Sequence, residues 1–217
     1  MAFTKKLSIA AFLSTALTAA AGVHAQSIDV RVIGTITPAA CTPTIAGGGV
    51  VDFGVIPAAS LNVTSFTELP KKSVPFSITC DAPTQVAVAV VDNRADSIVT
   101  GILAADDANN FGLGKAGEAK IGGYVLDMEQ GTFTADGSAA FTTASTDNGA
   151  TWLNSGKGRL QKNQLRSWSL KSGGTPVAFT TLAGTLAITA AINKAEGLPL
   201  KDEIQLDGLA TLEMVYL

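Results

Sequence analysis

The sequence predicts an all-β sandwich, and three observations carry this prediction. Short runs in which apolar and polar residues alternate recur along the chain, as at 74–80 and 85–91, and such alternation is typical of half-buried strands. Turn dipeptides such as Asp136-Gly137 and Asn148-Gly149 separate neighbouring runs and indicate hairpins. The chain is 47% hydrophobic and only 15% charged, with 22 glycines, so it can bury a sizeable core between many tight turns.

Residues 1–25 have the organisation of a secretory signal peptide. Lys5 and Lys6 precede an apolar run at 7–21, and the small residues around Ala25 suit a signal peptidase,. The alternative is a membrane anchor, but the apolar run is shorter than the roughly 20 residues needed to span a bilayer. We therefore expect cleavage after Ala25 and export of the remaining chain.

The charge and the scarcity of histidine exclude several functions. The formal net charge is −3, and loss of Lys5 and Lys6 with the leader would make the chain more acidic. This balance argues against nucleic acid as a partner, because phosphates require a basic surface. The single histidine, His24, would leave with the leader, so no imidazole remains as a general base or metal ligand. We predict no enzyme and no cofactor; catalysis by carboxylates that meet only in space is the remaining alternative.

Two cysteines, Cys41 and Cys80, are the only ones in the chain. In an exported protein an even pair of cysteines is typically oxidised rather than catalytic. We predict a disulfide between them.

The elements follow from the alternation and the turn signals, and no interdomain linker interrupts them. The stretch from Ala104 to Gly117 is polar and rich in glycine, and the pattern leaves open a long loop or a short helical insertion. Strands are predicted at 50–57, 74–80, 85–91, 121–128, 131–135, 139–145, 150–153, 167–170, 177–179, 182–192 and 209–217,.

Both ends of the exported chain carry an apolar stripe on one face of a strand. Side chains in a strand point alternately to opposite faces, so residues two apart in sequence form each stripe. The first stripe is either an ordinary first strand of the domain's own sheet or a strand available to another molecule. Its residues are Ile28, Val30, Val32, Gly34 and Ile36, and the second stripe consists of Ala210, Leu212, Met214 and Tyr216.

Several stretches resemble pilus subunits of the chaperone–usher pathway. The first stripe with Cys41 close behind it is similar to the family's N-terminus, and the run 76–80 is similar to its strand bearing the second cysteine. Residues 52–55 resemble the short strand after the first cysteine, and Tyr216 matches the penultimate tyrosine. The enlarged middle resembles a fimbrial-type subset known only as a domain of unknown function. One departure is Ile204, which stands where the family usually has glycine.

The resemblance implies an incomplete immunoglobulin-like sandwich (the pilin fold) that lacks its last strand and has a longer central insertion. Residues 26–37 would form a donor-strand extension and residues 38–217 the pilin-type domain. The first stripe would enter a groove on a neighbouring subunit. The second stripe, with Leu217, would line the groove edge and contact a periplasmic chaperone.

The function implied is that of a structural subunit of an extracellular fimbria. Such a subunit is delivered by the chaperone to an outer-membrane usher, polymerises by donor-strand exchange and supports cell adhesion at the surface. The alternative is an accessory or adhesive β-sandwich of fimbrial type that binds a surface ligand or receptor without forming the main polymer.

Two further patterns receive less weight. Residues 112–117 have the spacing of a dinucleotide fingerprint but lack the flanking strand and helix, so a loop is favoured over a nucleotide site. Trp152, Trp168 and Tyr124 could stack on a sugar, but such aromatic residues more often belong to the core.

Overall fold

The computed structural model describes residues 31–33 and 40–217, and the regular structure in this part of the chain is β-strand with short 3₁₀ turns. The predicted all-β class is confirmed. Pro38–Leu217 forms one compact unit. Within the described residues, no helix has the length and hydrophobicity needed to cross a membrane.

The strands of the described residues are numbered in chain order. They are β1 (Cys41–Ile45), β2 (Thr67–Glu68), β3 (Lys72–Thr84), β4 (Val86–Asp92), β5 (Phe111–Gly112), β6 (Lys115–Ala116), β7 (Ala119–Lys120), β8 (Gly122–Met128), β9 (Thr134–Ala135), β10 (Ser138–Ala139), β11 (Phe141–Ser145), β12 (Leu153–Asn154), β13 (Leu165–Ser169), β14 (Phe179–Ile192) and β15 (Ala210–Tyr216).

Two antiparallel sheets make the sandwich, which belongs to the immunoglobulin-like class. The larger sheet has the order β1-β3-β14-β8-β5, with β2 and β9 also paired to β14 and β10 paired to β9. The smaller sheet has the order β12-β11-β13-β4-β15. Because antiparallel sheets bury one face each, the apolar faces of the two sheets pack together and form the core.

Trp168 is the centre of that core. Its side chain is 0% exposed, and its ring lies 5.6 Å from the ring of Phe133 and 6.1 Å from those of Phe76 and Phe179. Since Trp168 belongs to the smaller sheet and Phe76 and Phe179 to the larger, this cluster joins the two sheets. The alternative role of Trp168 in an exposed sugar-binding surface is therefore wrong.

The predicted disulfide is confirmed. Cys41 and Cys80 lie directly opposite each other in the pairing of β1 with β3, and their sulfur atoms are bonded. The bond joins residues 39 positions apart and attaches the short edge strand β1 to the long strand β3.

The predicted strand at 50–57 is wrong, and those at 150–153 and 177–179 are strand only at their last residue. Residues 50–57 form no strand, and within the described residues the segment pairs with none. The Asp52 side chain accepts a hydrogen bond from the amide of Gly54, and Gly54 has a φ of 69°. Such an Asx turn with a left-handed glycine bends the backbone away from the extended geometry that a ladder needs. The short strand after the first cysteine is instead β1.

The central stretch that the pattern left open contains no α-helix. It forms a 3₁₀ turn at Asp107–Asn109, strand β5 and a small hairpin of β6 and β7. The dinucleotide-like spacing at 112–117 falls on β5 and this hairpin, so the βαβ context that a nucleotide site requires is absent from it.

Candidate partner-strand groove

Strand β15 forms one edge of the smaller sheet. It pairs along its whole length with β4, from Ala210 opposite Asp92 to Tyr216 opposite Val86. Among the described residues no strand pairs with its other side. An edge strand of seven residues with one unpaired side is a template for a further strand.

The direction of the free backbone groups follows from two hydrogen bonds that flank β15. The amide of Asn93 donates to the carbonyl of Leu209, and the amide of Leu217 donates to the carbonyl of Gln85. Odd-numbered residues of this strand therefore direct their backbone groups towards β4. Because these directions alternate along an antiparallel strand, the even-numbered residues direct theirs to the free edge. These residues are Ala210, Leu212, Met214 and Tyr216.

An apolar groove of about 940 Å³ opens beside this free edge. Leu126, Leu186 and Ile188 of the larger sheet line it, as do Ala210 and Leu212 of β15. The three side chains of the larger sheet are only 4–6% exposed, and Phe53, Ile204 and Leu206 of the same chain line the groove as well. Among the described residues, the smaller sheet has no strand beyond β15.

The segment 50–57 lies on the groove as well. Val51, Phe53 and Ile56 line it and pack partly buried against the core, whereas Val55 is 95% exposed. The residues that gave the appearance of a strand in the sequence thus pack their apolar side chains on the groove rather than inside a sheet.

Tyr124 of β8 lines the groove, and its ring packs against β5. Its ring stacks on Phe111 at 5.4 Å between centroids, and a Cβ atom on Gly208 would lie only 2.9 Å from the Tyr124 ring. Burial, with a smaller effect of the nearby Asp92 carboxylate, raises the pKa of the Tyr124 hydroxyl well above its ordinary value. Tyr124 is thus a neutral, apolar part of the groove at physiological pH.

An ion pair holds the chain that leads into β15. Arg94 donates through Nε and Nη2 to the two carboxylate oxygens of Asp207, at 2.8 and 2.9 Å. This hydrogen bond holds the pKa of Asp207 below its usual range. The amide of Asp207 also donates to the carbonyl of Leu113, so the segment before β15 is held at both its side chain and its backbone.

The structure places the predicted site residues unevenly. Ala210, Leu212 and Met214 are partly buried, whereas Tyr216 and Leu217 are exposed at the end of the strand. Val32 is 91% exposed. The other members of the first stripe, Ile28, Val30, Gly34 and Ile36, lie outside the described residues, as does the predicted signal peptide at 1–25.

The described residues contain no group of three or more His, Cys, Asp or Glu side chains that could hold a metal ion. Most side chains that line the groove are apolar, and Asp52, Asp202, Glu203 and Gln205 line it as well. Together with the free backbone groups of β15, this lining suits an extended polypeptide. Sequence reasoning missed the part that 50–57 plays in it, although the alternation of Val51 and Phe53 was a signal of one buried face.

The fold and the groove define an immunoglobulin-like β-sandwich in which β15, beside the groove, is an unpaired edge strand among the described residues. Residues 30–110 match the family described as "Protein of unknown function (DUF1120)". The chain is 33% identical to protein GltF of Escherichia coli (strain K12) over 254 residues, covering 100% of both chains. It is 30% identical to the uncharacterized protein YhcF of the same strain over 219 residues, covering 88% of this chain and 90% of that protein. The chain therefore belongs to this DUF1120 family.

Proposed function

We propose that this protein is a structural subunit of an extracellular fimbria that polymerises by donor-strand exchange. The single observation that carries the proposal is the apolar groove beside the unpaired edge of β15. A free edge and an apolar groove together favour aggregation unless another strand covers them. The proposal requires that such a strand is always supplied, first by a periplasmic chaperone and then by a neighbouring subunit.

The N-terminal segment 26–37 is the proposed donor. Its stripe of Val30, Val32 and Ile36 with Ile28 presents one apolar face, and its backbone would pair with the even-numbered residues of β15 as in β-strand addition. Burial of four such side chains is worth about 6–12 kcal/mol before the costs of ordering. This magnitude is of the same order as the cost of association, so the backbone hydrogen bonds to β15 must add to it.

Gly34 has a particular place in this proposal. A glycine in the donor strand lets its backbone lie close to a bulky part of the groove. We expect Gly34→Ala to slow or prevent insertion because the added methyl group would meet the groove floor. The partners that follow from the proposal are neighbouring subunits, the chaperone and an outer-membrane usher, and the localisation is the cell surface after passage through the periplasm.

The first experiment deletes residues 26–37 and compares the shortened chain with one that carries a copy of this segment fused through a flexible linker after Leu217. The fused chain should be soluble and should unfold at a higher temperature, because its groove is filled in cis. Equal solubility and equal melting temperature of the two chains would overturn the proposal.

A second experiment tests the donor face in the full chain. Val32→Asp places a charge on the apolar face and should stop polymerisation while the complex with the chaperone still forms. Thr35→Asp introduces the same residue on the opposite face and is the matched control, with polymerisation retained. If both variants polymerise equally, the stripe is not the inserted face.

A further inference from the structure

Arg166 is a buried cation whose hydrogen bonds are incomplete. It lies on β13 and is 3% exposed. Its Nη2 donates to the carbonyl of Arg159 and to Oε1 of Gln164, whereas its Nε and Nη1 atoms have no partner among the described residues. A buried charge without full pairing is costly, and an unsatisfied buried group in a native protein calls for an explanation such as a bound ion.

The charges around Arg166 do not balance. Asp127 is the carboxylate that acts on Arg166, but Asp127 is already held by Arg159, which donates to its two oxygens at 2.6 and 3.0 Å. Arg159 is thus paired with Asp127, whereas Arg166 makes no ion pair among the described residues. Two other carboxylates beside the pocket, Asp106 and Asp147, bond to Gln161 and Thr151. The charge of Arg166 therefore lies unpaired, in surroundings where low dielectric strengthens its attraction for an anion.

A polar pocket of about 280 Å³ lies against both arginines. Its other side chains are amides, hydroxyls and two aliphatic groups, and none of the residues that line it is acidic. Gln164 accepts from Arg166 through Oε1, so its Nε2 group is left as a donor without a partner in the described part of the chain. Arg159 donates through Nε and Nη2 to Asp127. Its Nη1 group therefore also lacks a partner in the described part of the chain.

The location of the pocket separates it from the groove. It is lined by Leu153 and Asn154 of β12 and by Ala144 of β11, at the end of the smaller sheet opposite β15. A strand added beside β15 would therefore leave the pocket open. Binding in this pocket is therefore independent of the proposed polymerisation.

We propose that this pocket binds the carboxylate of an acidic sugar, with Arg159, Arg166 and Gln164 attracting the anion and the surrounding amide and hydroxyl groups bonding to the sugar hydroxyls. A carboxylate supplies the missing counter-charge. Hydroxyl groups both donate and accept, as do the side chains of Asn109, Asn154 and Thr146 that line the pocket,. The small volume suits one sugar unit rather than a long segment of chain.

The test is calorimetric titration of the full chain with D-glucuronate, D-glucose, sodium sulfate and N-acetylaspartate, each at millimolar concentration. Glucuronate should bind and glucose should not, because only the former carries the anion. Weaker binding of sulfate agrees with an oxyanion site that also reads hydroxyl groups. Tighter binding of N-acetylaspartate than of glucuronate would overturn the proposal in favour of a peptide carboxylate.

Variants assign the binding to this pocket. Arg166→Met should lower the affinity for glucuronate roughly tenfold or more, since the positive charge that attracts the anion is removed. Arg94→Met removes an arginine outside the pocket and is the matched control, with affinity unchanged. Should Arg166→Met fail to fold, Gln164→Leu at the pocket provides the second variant. Unchanged glucuronate binding in the folded pocket variants, or no binding to the wild-type chain, would overturn the proposal.

Discussion

The hydroxyl of Tyr216 accepts a hydrogen bond of 2.9 Å from the backbone amide of Cys41. Tyr216 is the last residue of β15 in the smaller sheet, and Cys41 is the first residue of β1 in the larger sheet. This bond therefore connects the first strand of the larger sheet to the last strand of the smaller sheet. It gives the tyrosine that resembles the pilin penultimate residue a structural role within this chain.

Removal of this bond should destabilise the domain. We expect Tyr216→Phe to lower the free energy of unfolding by about 0.5–1.5 kcal/mol, the net value of a typical hydrogen bond, as measured by urea denaturation. Tyr124→Phe is the matched control because no described residue bonds to the Tyr124 hydroxyl, and its effect should be near zero. Equal effects of the two substitutions would contradict the assigned role of Tyr216.

The disulfide should contribute most of the free energy that holds β1 against β3. The paired substitution Cys41→Ser with Cys80→Ser should lower the free energy of unfolding by about 3–4 kcal/mol, because the unfolded chain is no longer cross-linked. Denaturation with and without a reductant measures this effect. The reductant should destabilise the wild-type chain and leave the substituted chain unchanged; a wild-type chain insensitive to full reduction would disprove the prediction.

Gly208 should be intolerant of a side chain. A Cβ atom there would lie 2.9 Å from the Tyr124 ring and 3.0 Å from a methyl group of Leu113. We expect Gly208→Ala to cost about 1–3 kcal/mol, as other overpacked sites do, and to narrow the groove. Gly197→Ala is the control, since a Cβ atom there would meet nothing within 4 Å. Thermal unfolding compares the two, and similar melting temperatures would contradict the close packing at Gly208.

Tyr124 should make the free energy of unfolding depend on pH in the alkaline range. Burial raises its pKa in the folded chain, whereas in the unfolded chain it ionises near the ordinary value of about 10. Above that pH the unfolded state loses a proton that the folded state keeps, so the free energy of unfolding falls as pH rises. The decline should be smaller in Tyr124→Phe. Ultraviolet titration should show one tyrosine ionising late, and two coincident ionisations would contradict the prediction.

The local pattern of the chain was sufficient for most strands. Alternation located β3, β4, β8 and β15, and the Asp136-Gly137 turn joins β9 to β10 as a hairpin. Both turn residues have positive φ, 47° and 80°, which is the backbone geometry that favours these residue types. The oxidised cysteine pair was likewise predicted from compartment and number alone.

The predictions failed at segments where the alternation of apolar and polar residues does not coincide with pairing to a neighbouring strand. Residues 50–57 have one partly buried face but no strand beside them, so periodicity alone made them look like part of a sheet. Strand β1 was missed because it is short and carries Pro43 at its centre. Proline is tolerated there because an edge strand needs only one side of its backbone for the ladder.

The order of residues along this chain was enough to predict the strand-rich class and the disulfide, because each depends on neighbours in sequence or on residue type; the N-terminal stripe is still a prediction. Only the tertiary structure revealed the open groove beside β15 and the charge imbalance at Arg166. Both arise where segments far apart in sequence meet, as Phe53 and Leu212 do on the groove and Asp127 and Arg159 do beside the polar pocket. Burial and unpaired strand edges depend on how these distant segments pack together, so the pattern of neighbouring residues does not reveal them.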